Sequence, residues 1–155
     1  MENTSKGYLR LGWARERMDV TSQIRERFIR EKPLKGVKIS MALHVQAKTG
    51  VFALLLREGG ADIRMASCNP LSSDDSVVES LKGDYKMDVY AKKGESEEEY
   101  YEYLNKTLDL KPNVIIDDGG DLVKIVTEER TDLLDNIIGG KESCNIFTGR
   151  HGQGA

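Results

Sequence analysis

The sequence predicts an α/β domain with an open, mostly parallel sheet and helices on both faces. Four segments typical of β-strands begin near residues 37, 61, 86 and 113, and a segment of helical periodicity follows each of them. Strands and helices that alternate in this way form βαβ units with right-handed crossovers. The chain has 155 residues, of which 39% are hydrophobic and 32% charged, so it can enclose one core and is not of disordered composition.

Charge, hydropathy and cysteine use exclude several classes of protein. The formal net charge is −3 with both signs interspersed, which argues against nucleic acid as a partner. The longest apolar run, residues 51–56, is too short to span a membrane, and the first residues lack the apolar stretch of a secretory signal. The two cysteines, Cys68 and Cys144, are too far apart to form a CxxC motif. We therefore expect a cytoplasmic, reduced protein with neither a membrane nor a nucleic-acid partner.

The sequence of residues 13–67 predicts a helix, a strand, a second helix and a second strand. Apolar residues at helical spacing indicate a helix over 13–32, which Pro33 ends. Alternating apolar residues then predict a strand over 37–43. Residues 47–58 form a helix that stops at a pair of glycines, and a short strand follows over 61–67.

The middle of the chain continues the alternation. After a turn, Ser72 or Ser73 is expected to cap a helix over 74–82, and residues 87–91 are expected to form the third strand. Ser96 opens the next helix with a capping box, because a glutamate stands three residues later.

The last part of the predicted domain holds a buried strand and a final helix. Residues 113–117 are a bare apolar run, as expected for a central strand, and residues 122–138 are mostly of helical pattern. After Gly140 the sequence becomes polar and glycine-rich without periodicity, which predicts a frayed end. We divide the chain into a domain over residues 1–142 and a divergent, disordered tail over 143–155.

Candidate site residues follow the strands, because ligands in open parallel sheets bind beyond the carboxyl ends of the strands. His44 follows the first strand and Asn69 the second, and the run Asp117-Asp118-Gly119-Gly120-Asp121 follows the fourth. An imidazole, an amide and several carboxylates could together hold a polyhydroxylated ligand and move protons on it.

Each of these signals also has a plainer interpretation. His44 is either a proton donor or acceptor, or a histidine bonded to backbone at a helix start. The aspartate run is a sugar-hydroxyl acceptor, a general base or a Mg²⁺ site, or else it caps a helix through Asp121. The sequence has no Gly-x-Gly-x-x-Gly, P-loop or Gly-x-Ser-x-Gly motif.

Six motifs resemble the amino-terminal, substrate-binding domain of the adenosylhomocysteinases, in that family's order and spacing and in the form typical of archaeal and thermophilic members. They cover residues 8 to 142 and are Trp13-Ala14-x-x-x-Met18, Glu31-Lys32-Pro33-Leu34-Lys35-Gly36, Ala42-Leu43-His44-Val45-x-Ala47-Lys48-Thr49, Cys68-Asn69-Pro70-Leu71-Ser72, Gly94-Glu95-x-x-Glu98-Glu99-Tyr100-Tyr101 and Ile116-Asp117-Asp118-Gly119-Gly120-Asp121-Leu122. The resemblance implies a Rossmann-like or flavodoxin-like fold. It also implies reversible hydrolysis of S-adenosyl-L-homocysteine to adenosine and homocysteine, with bound NAD oxidising the ribose 3′-hydroxyl.

The resemblance also implies roles for particular residues. His44 matches the family histidine near the 5′ leaving group, and Asp118 matches the aspartate that acts as acid/base and ribose contact. Gln46 stands where the family places an adenosine contact, and three other rim positions of the substrate pocket are Thr49, Asn69 and Ser72. The motifs do not distinguish adenine from hypoxanthine.

The resemblance ends after Gly140, where the family continues into a Glu-Glu-Thr-Thr-Thr-Gly-Val segment. Here Ser143 replaces the second glutamate, and the threonines that touch NAD are missing. The family's NAD-binding domain would lie beyond Ala155, so we expect no residue of this chain to bind NAD or metal and the chain alone to be catalytically incomplete. A frameshift, a cloning scar or a truncated gene would each produce this departure.

Two other functions remain open beside the enzyme part. One is a cofactor-free module that binds adenosine-like ligands or other subunits, and the other is an unrelated Mg²⁺-dependent hydrolase that uses Asp117 and Asp118. The family assembles as a homotetramer, largely through the NAD-binding domain, and its partner is otherwise a small-molecule substrate.

Overall fold

A five-stranded, all-parallel sheet forms the centre of residues 5–142, the part of the chain that this computed structural model describes. The strands are β1 (Lys38–Ala42), β2 (Asp62–Ala66), β3 (Asp88–Tyr90), β4 (Val114–Asp117) and β5 (Gly139–Glu142). Their order across the sheet is β3-β2-β1-β4-β5. The predicted fold class, an open parallel α/β sheet, is therefore confirmed.

Six α-helices and one 3₁₀ helix in residues 5–142 cover the two faces of the sheet. They are α1 (Lys6–Glu16), α2 (Asp19–Glu31), α3 (Ala47–Glu58), α4 (Asp75–Gly83), α5 (Glu97–Leu108), α6 (Asp121–Glu128) and the 3₁₀ helix Thr131–Asn136. One hydrophobic cluster joins α1, α3 and α4 to one face, and a second joins α5 and α6 to the other. No helix among these residues is long and apolar enough to cross a membrane.

Strand β1 shows how the sheet separates the two clusters. Ile39 and Met41 belong to the cluster on the α3 face, whereas Ala42 belongs to the cluster on the α5 face. Ser40 is also fully buried, and its hydroxyl donates to the backbone carbonyl of Thr107 on α5 at 2.7 Å. The hydrogen bond offsets the cost of burying a hydroxyl, so both faces of this central strand can be dry.

The single helix predicted over 13–32 is wrong, because the structure has two helices that meet at Arg17 and Met18. The backbone N–H groups of these residues bond to carbonyls three residues back, a tight turn that ends α1. Helix α1 begins well before Trp13, with the Ser5 hydroxyl accepting from the Tyr8 N–H. Its closest approach to α4 is at Gly7, where a Cβ atom would lie 1.8 Å from the Ser76 carbonyl oxygen.

Two helix starts in the middle of the chain test the predicted caps. The cap of α4 is Asp74, whose carboxylate accepts from the Ser76 N–H, so the prediction of Ser72 or Ser73 is wrong. The capping box at Ser96 is confirmed, with both of its reciprocal hydrogen bonds present. The predicted bounds of α3 are also confirmed.

The carboxyl-terminal part of the described chain differs most from the prediction. The helical pattern over 122–138 breaks into α6 and the 3₁₀ helix, and β5 then pairs in parallel with β4 from Gly139 to Glu142. Residues 141 and 142 are therefore part of the sheet and not a frayed end. The residue that caps α6 is Gly120, in a left-handed conformation, and not Asp121. The tail predicted over 143–155 lies outside the described residues.

Candidate functional site

The topology creates a crevice between β1 and β4. From β1 the strand order runs outward to β2 and β3, and from β4 it runs outward to β5 on the other side. The connections from these two neighbouring strands therefore lead to opposite sides of the sheet, and the space beyond their carboxyl ends is where such folds bind ligands. Ala42 and Asp117 are register partners at those ends, so the residues that follow them face the crevice.

His44 and Asp118 meet in this crevice. The Nε2 atom of His44 lies 3.5 Å from Oδ2 of Asp118, and the two side chains are 51% and 20% exposed. The imidazole is therefore open to a ligand, while the carboxylate is more enclosed. An imidazole and a carboxylate this close can exchange a proton with the same ligand or orient one another.

Cys68 is a third member of this group that the sequence analysis did not assign to the site. Its thiol lies 3.8 Å from Oδ2 of Asp118. Burial, and secondarily the negative charge of Asp118, raise the pKa of the Cys68 thiol to about 12. The side chain is thus a neutral thiol at neutral pH, and it is not an activated nucleophile.

Asp117 is buried and supports the loop after β4. Its side chain accepts the backbone N–H groups of Asp118 at 2.9 Å and of Val123 at 3.0 Å, and it is only 1% exposed. Burial raises the pKa of this carboxyl group to about 6. Gly119 and Gly120 have φ angles of 105° and 82°, which let the chain turn back into α6 at once. This use of Asp117 argues against a Mg²⁺ site built from both aspartates.

The hydroxyl of Tyr100 connects the loop after β2 with the start of α6, two segments that border the crevice. Its hydroxyl lies 2.8 Å from Oδ2 of Asp121 and 3.2 Å from the backbone carbonyl of Cys68. Burial raises the pKa of this phenol above its ordinary value, so the hydroxyl remains a donor. The loop after β2 is thereby held against the start of α6. The sequence alone did not predict this connection.

The remaining predicted site residues lie around the crevice. Gln46 stands at the start of α3, and its side-chain amide donates to the backbone carbonyl of Ser72. Asn69 is exposed, and its carbonyl oxygen accepts the Leu71 N–H within the turn after β2. Thr49 lies half-buried in the first turn of α3. The structure therefore joins Gln46 to Ser72, whose hydroxyl donates to the backbone carbonyl of Asn69 at 3.0 Å, whereas among residues 5–142 no side-chain hydrogen bond joins Thr49 to these three.

Two cavities border these residues. A cavity of about 270 Å³ opens beside Cys68 and Asn69, and its other lining residues are Pro70, Glu97, Tyr100, Tyr101 and Asp121. A larger one of about 590 Å³ lies beyond Gln46 and is bounded mainly by α1, with Trp13 and Arg10 among its lining residues. The smaller cavity is lined by Cys68, whose thiol lies 3.8 Å from Oδ2 of Asp118, so this cavity adjoins the group of His44, Cys68 and Asp118.

The described residues do not fit a dinucleotide. The turn after β1 carries His44, the fully buried Val45 and Gln46, so side chains stand where backbone would have to approach a pyrophosphate. The glycines after β4 offer such an approach, but carboxylates including Asp118 and Glu142 lie around them and would repel phosphates. Residues 5–142 thus provide a polar, acidic crevice whose side chains do not suit the phosphates of a dinucleotide.

An open parallel α/β fold with an imidazole and a carboxylate close together at its switch point is typical of domains that bind small molecules. The family model of the S-adenosyl-L-homocysteine hydrolases matches residues 1–151, and the chain belongs to that family.

Relatives from three archaea match the same region. An adenosylhomocysteinase of Thermoplasma acidophilum is 69% identical and covers 89% of this chain, and an S-inosyl-L-homocysteine hydrolase of Methanocaldococcus jannaschii is 53% identical over 88%. An adenosylhomocysteinase of Pyrococcus abyssi is 47% identical over 88% of the chain. The chain spans about a third of the length of these relatives, between 32% and 34%.

Proposed function

We propose that the chain is the substrate-binding part of an enzyme that reversibly hydrolyses S-adenosyl-L-homocysteine, or its inosine counterpart, to the nucleoside and homocysteine. The observation that carries the proposal is the approach of His44 and Asp118, 3.5 Å apart at the switch point of the sheet. The fold, whose class binds ligands beyond the carboxyl ends of its strands, and membership of the hydrolase family both support a small hydroxylated ligand at this edge.

The exposure of the two side chains supports separate roles. Asp118 is the more enclosed, and its carboxylate is held by a loop that Asp117 anchors through two backbone hydrogen bonds. We assign it as the acceptor for a ribose hydroxyl and as the group that carries a proton during the reaction. His44 is open to solvent, and we assign it to the 5′ side, where homocysteine leaves and water enters.

Four further residues complete the proposed substrate wall. Gln46 and Ser72, which are hydrogen-bonded to each other, link the start of α3 to the loop after β2 on one side of the crevice. Asn69 is exposed at the turn of that loop, and Thr49 lies in the first turn of α3. We propose that this side receives the purine nucleoside. The names of the relatives include both adenosyl and inosyl substrates, so the proposal extends to either base.

Oxidation at the ribose 3′ carbon is not assigned to any described residue. We propose that NAD, which the family uses for that chemistry, binds to parts of the enzyme other than residues 5–142, and that the homotetramer is also built largely through those parts. A cofactor-free module that binds adenosine-like ligands or other subunits is the second candidate, because the described residues offer a nucleoside crevice without a dinucleotide loop.

A turnover assay tests whether this chain binds substrate but needs other parts of the enzyme for catalysis. Purified 155-residue protein is incubated with S-adenosyl-L-homocysteine and NAD⁺, and free homocysteine is measured, with a full-length relative as the positive control. We expect no turnover, because the described residues hold no site for the hydride acceptor. Turnover that His44→Ala abolishes would refute this proposal, since the chain would then carry the whole reaction.

A chelation experiment separates this proposal from the Mg²⁺-dependent hydrolase. Asp117 accepts two backbone N–H groups and is buried, so we expect EDTA to leave nucleoside binding unchanged. Loss of binding on adding EDTA, with recovery on adding Mg²⁺, would favour the hydrolase instead.

A further inference from the structure

We propose that His44, Cys68 and Asp118 form a binding site for a zinc-like divalent cation, and that the cation and the nucleoside exclude each other. One ligand atom of each residue lies within 4.8 Å of the other two. The three residues follow three different strands, β1, β2 and β4, so the sheet itself brings them together. No other group of this kind occurs among residues 5–142.

The distances suit tetrahedral coordination. Zinc binds imidazole nitrogen at about 2.0–2.1 Å, carboxylate oxygen at about 2.0–2.2 Å and thiolate sulfur at about 2.3 Å, so tetrahedral angles require N···O near 3.4 Å and S···O near 3.6 Å. The observed separations are 3.5 Å from His44 Nε2 to Asp118 Oδ2 and 3.8 Å from Cys68 Sγ to the same oxygen. Shifts of a few tenths of an ångström would bring these two pairs to tetrahedral separations. The third pair, the His44 nitrogen and the Cys68 sulfur, lies within 4.8 Å, so closing the site around a cation needs a movement of at most about 1 Å there, which a turn of the half-exposed His44 side chain can supply.

The donor set selects the kind of metal. A thiolate, an imidazole and one carboxylate favour zinc and related cations over Mg²⁺ or Ca²⁺, which prefer shells of oxygen atoms. Three protein ligands leave a fourth position for water. On binding, the cation replaces the proton of the Cys68 thiol, so one Zn–S bond forms as one S–H bond breaks and the proton passes to solvent.

A cation can reach the three ligand residues from the solvent-exposed side of the crevice, where His44 lies. His44 is half exposed and forms the outer ligand, whereas Cys68 and Asp118 lie deeper. A cation can therefore enter from the crevice mouth without opening the fold. It would use the same two side chains, His44 and Asp118, that the proposed function gives to the nucleoside. The exclusion of nucleoside by metal rests on that proposed function, but the metal site itself does not.

The chain permits a clean experiment, because it contains only two histidines and two cysteines. Replacing Cys144 with serine and His151 with asparagine leaves His44 and Cys68 as the sole members of their kinds. We expect this protein to bind one Zn²⁺ in competition with a chromophoric chelator. Cys68→Ser and His44→Asn should each weaken binding by at least about tenfold. Asp62→Asn, which changes an exposed carboxylate at the opposite end of β2, is the matched control and should bind as before.

A spectroscopic readout covers the case in which a variant fails to fold. Co²⁺ added to the protein with both tail substitutions should produce a thiolate-to-metal charge-transfer band, and the imidazole signals of His44 should shift. Absence of Zn²⁺ binding, absence of the thiolate band, or equal binding by the Cys68→Ser variant when folded would overturn the site.

Adenosine then tests the exclusion. We expect saturating adenosine to weaken the apparent Zn²⁺ affinity, and unchanged affinity in the presence of bound adenosine would overturn mutual exclusion. If adenosine does not bind at all, the proposed function fails while the Zn²⁺ titration still decides the metal site.

Discussion

Replacing Tyr100 with phenylalanine should loosen the crevice and lower the stability of the domain. The change removes only the hydroxyl, which approaches the Asp121 carboxylate at 2.8 Å and the Cys68 carbonyl at 3.2 Å. The side chain is 6% exposed, so water cannot easily replace the lost donor. A buried hydrogen bond to a charged group contributes about 1.5–3 kcal/mol, and one hydroxyl proton can serve only one such bond at a time. We therefore expect the free energy of unfolding to fall by about that amount.

Tyr101→Phe is the matched control, because the next residue undergoes the same chemical change. Tyr101 is half-buried, and its hydroxyl makes no hydrogen bond with another residue of the described range 5–142. Urea unfolding followed by circular dichroism measures the free energy of unfolding of both variants. In thermal unfolding, a loss of about 1.5–3 kcal/mol corresponds to a Tm lower by about 3–12 °C in a domain of this size. Equal stabilities of Tyr100→Phe and Tyr101→Phe would refute the view that the Tyr100 hydroxyl stabilises the domain by connecting the loop after β2 with the start of α6.

Two further perturbations test the packing and the buried charge. Gly7→Ala should destabilise by about 3 kcal/mol, because its Cβ would lie 1.8 Å from the Ser76 carbonyl oxygen, whereas Gly12→Ala in the same helix meets nothing within 4 Å and should stabilise by about 0.5–1 kcal/mol. Denaturation midpoints that rank the two variants the other way would contradict the packing of α1 on α4. Burial raises the pKa of Glu95, so the folded state holds this proton more tightly than the unfolded state does. Its contribution to stability should be full below the ordinary glutamate pKa and be lost as the pH rises through the raised pKa. Unfolding measured from about pH 4 to about pH 7 should show a smaller loss in Glu95→Gln than in the wild type, and the loss that remains is that of Asp117, whose raised pKa of about 6 lies in the same window.

Local signals predicted those elements whose ends are marked by particular residues. Helix α3 ends at Glu58, directly before Gly59, and α5 begins after the capping box at Ser96. The sequence predicted both of these helix ends correctly. Helix α1 was missed before Trp13 because two glycines weaken its helical pattern and its position depends on packing against α4. Strand β5 was missed because Gly139 and Gly140 have no side chains to alternate, so only its pairing with β4 defines it.

The sequence predicted which residues follow the ends of the strands, but it did not predict which of those residues lie next to one another. The residues after each strand are visible in the sequence, whereas the placement of β1 beside β4 is a property of the whole sheet. That placement decides that His44 faces Asp118, with Cys68 beside both. It also explains why Asp117 serves the loop, because its position at the end of a buried strand directs it toward the backbone of α6.

Titration of adenosine into the isotopically labelled chain, followed by NMR, tests most directly whether this crevice is one wall of a nucleoside site. Hydrogen bonds to a half-open wall contribute only about 0.5–1.5 kcal/mol each, so we expect affinity near millimolar, roughly −4 kcal/mol. The shifts should cluster at His44, Asn69 and Asp118. Asp118→Asn should abolish most of the binding, because a carboxylate accepting a ribose hydroxyl contributes about 1.5–3 kcal/mol, whereas Asp62→Asn should leave it unchanged. Micromolar binding, or shifts that cluster away from these three residues, would contradict the assignment.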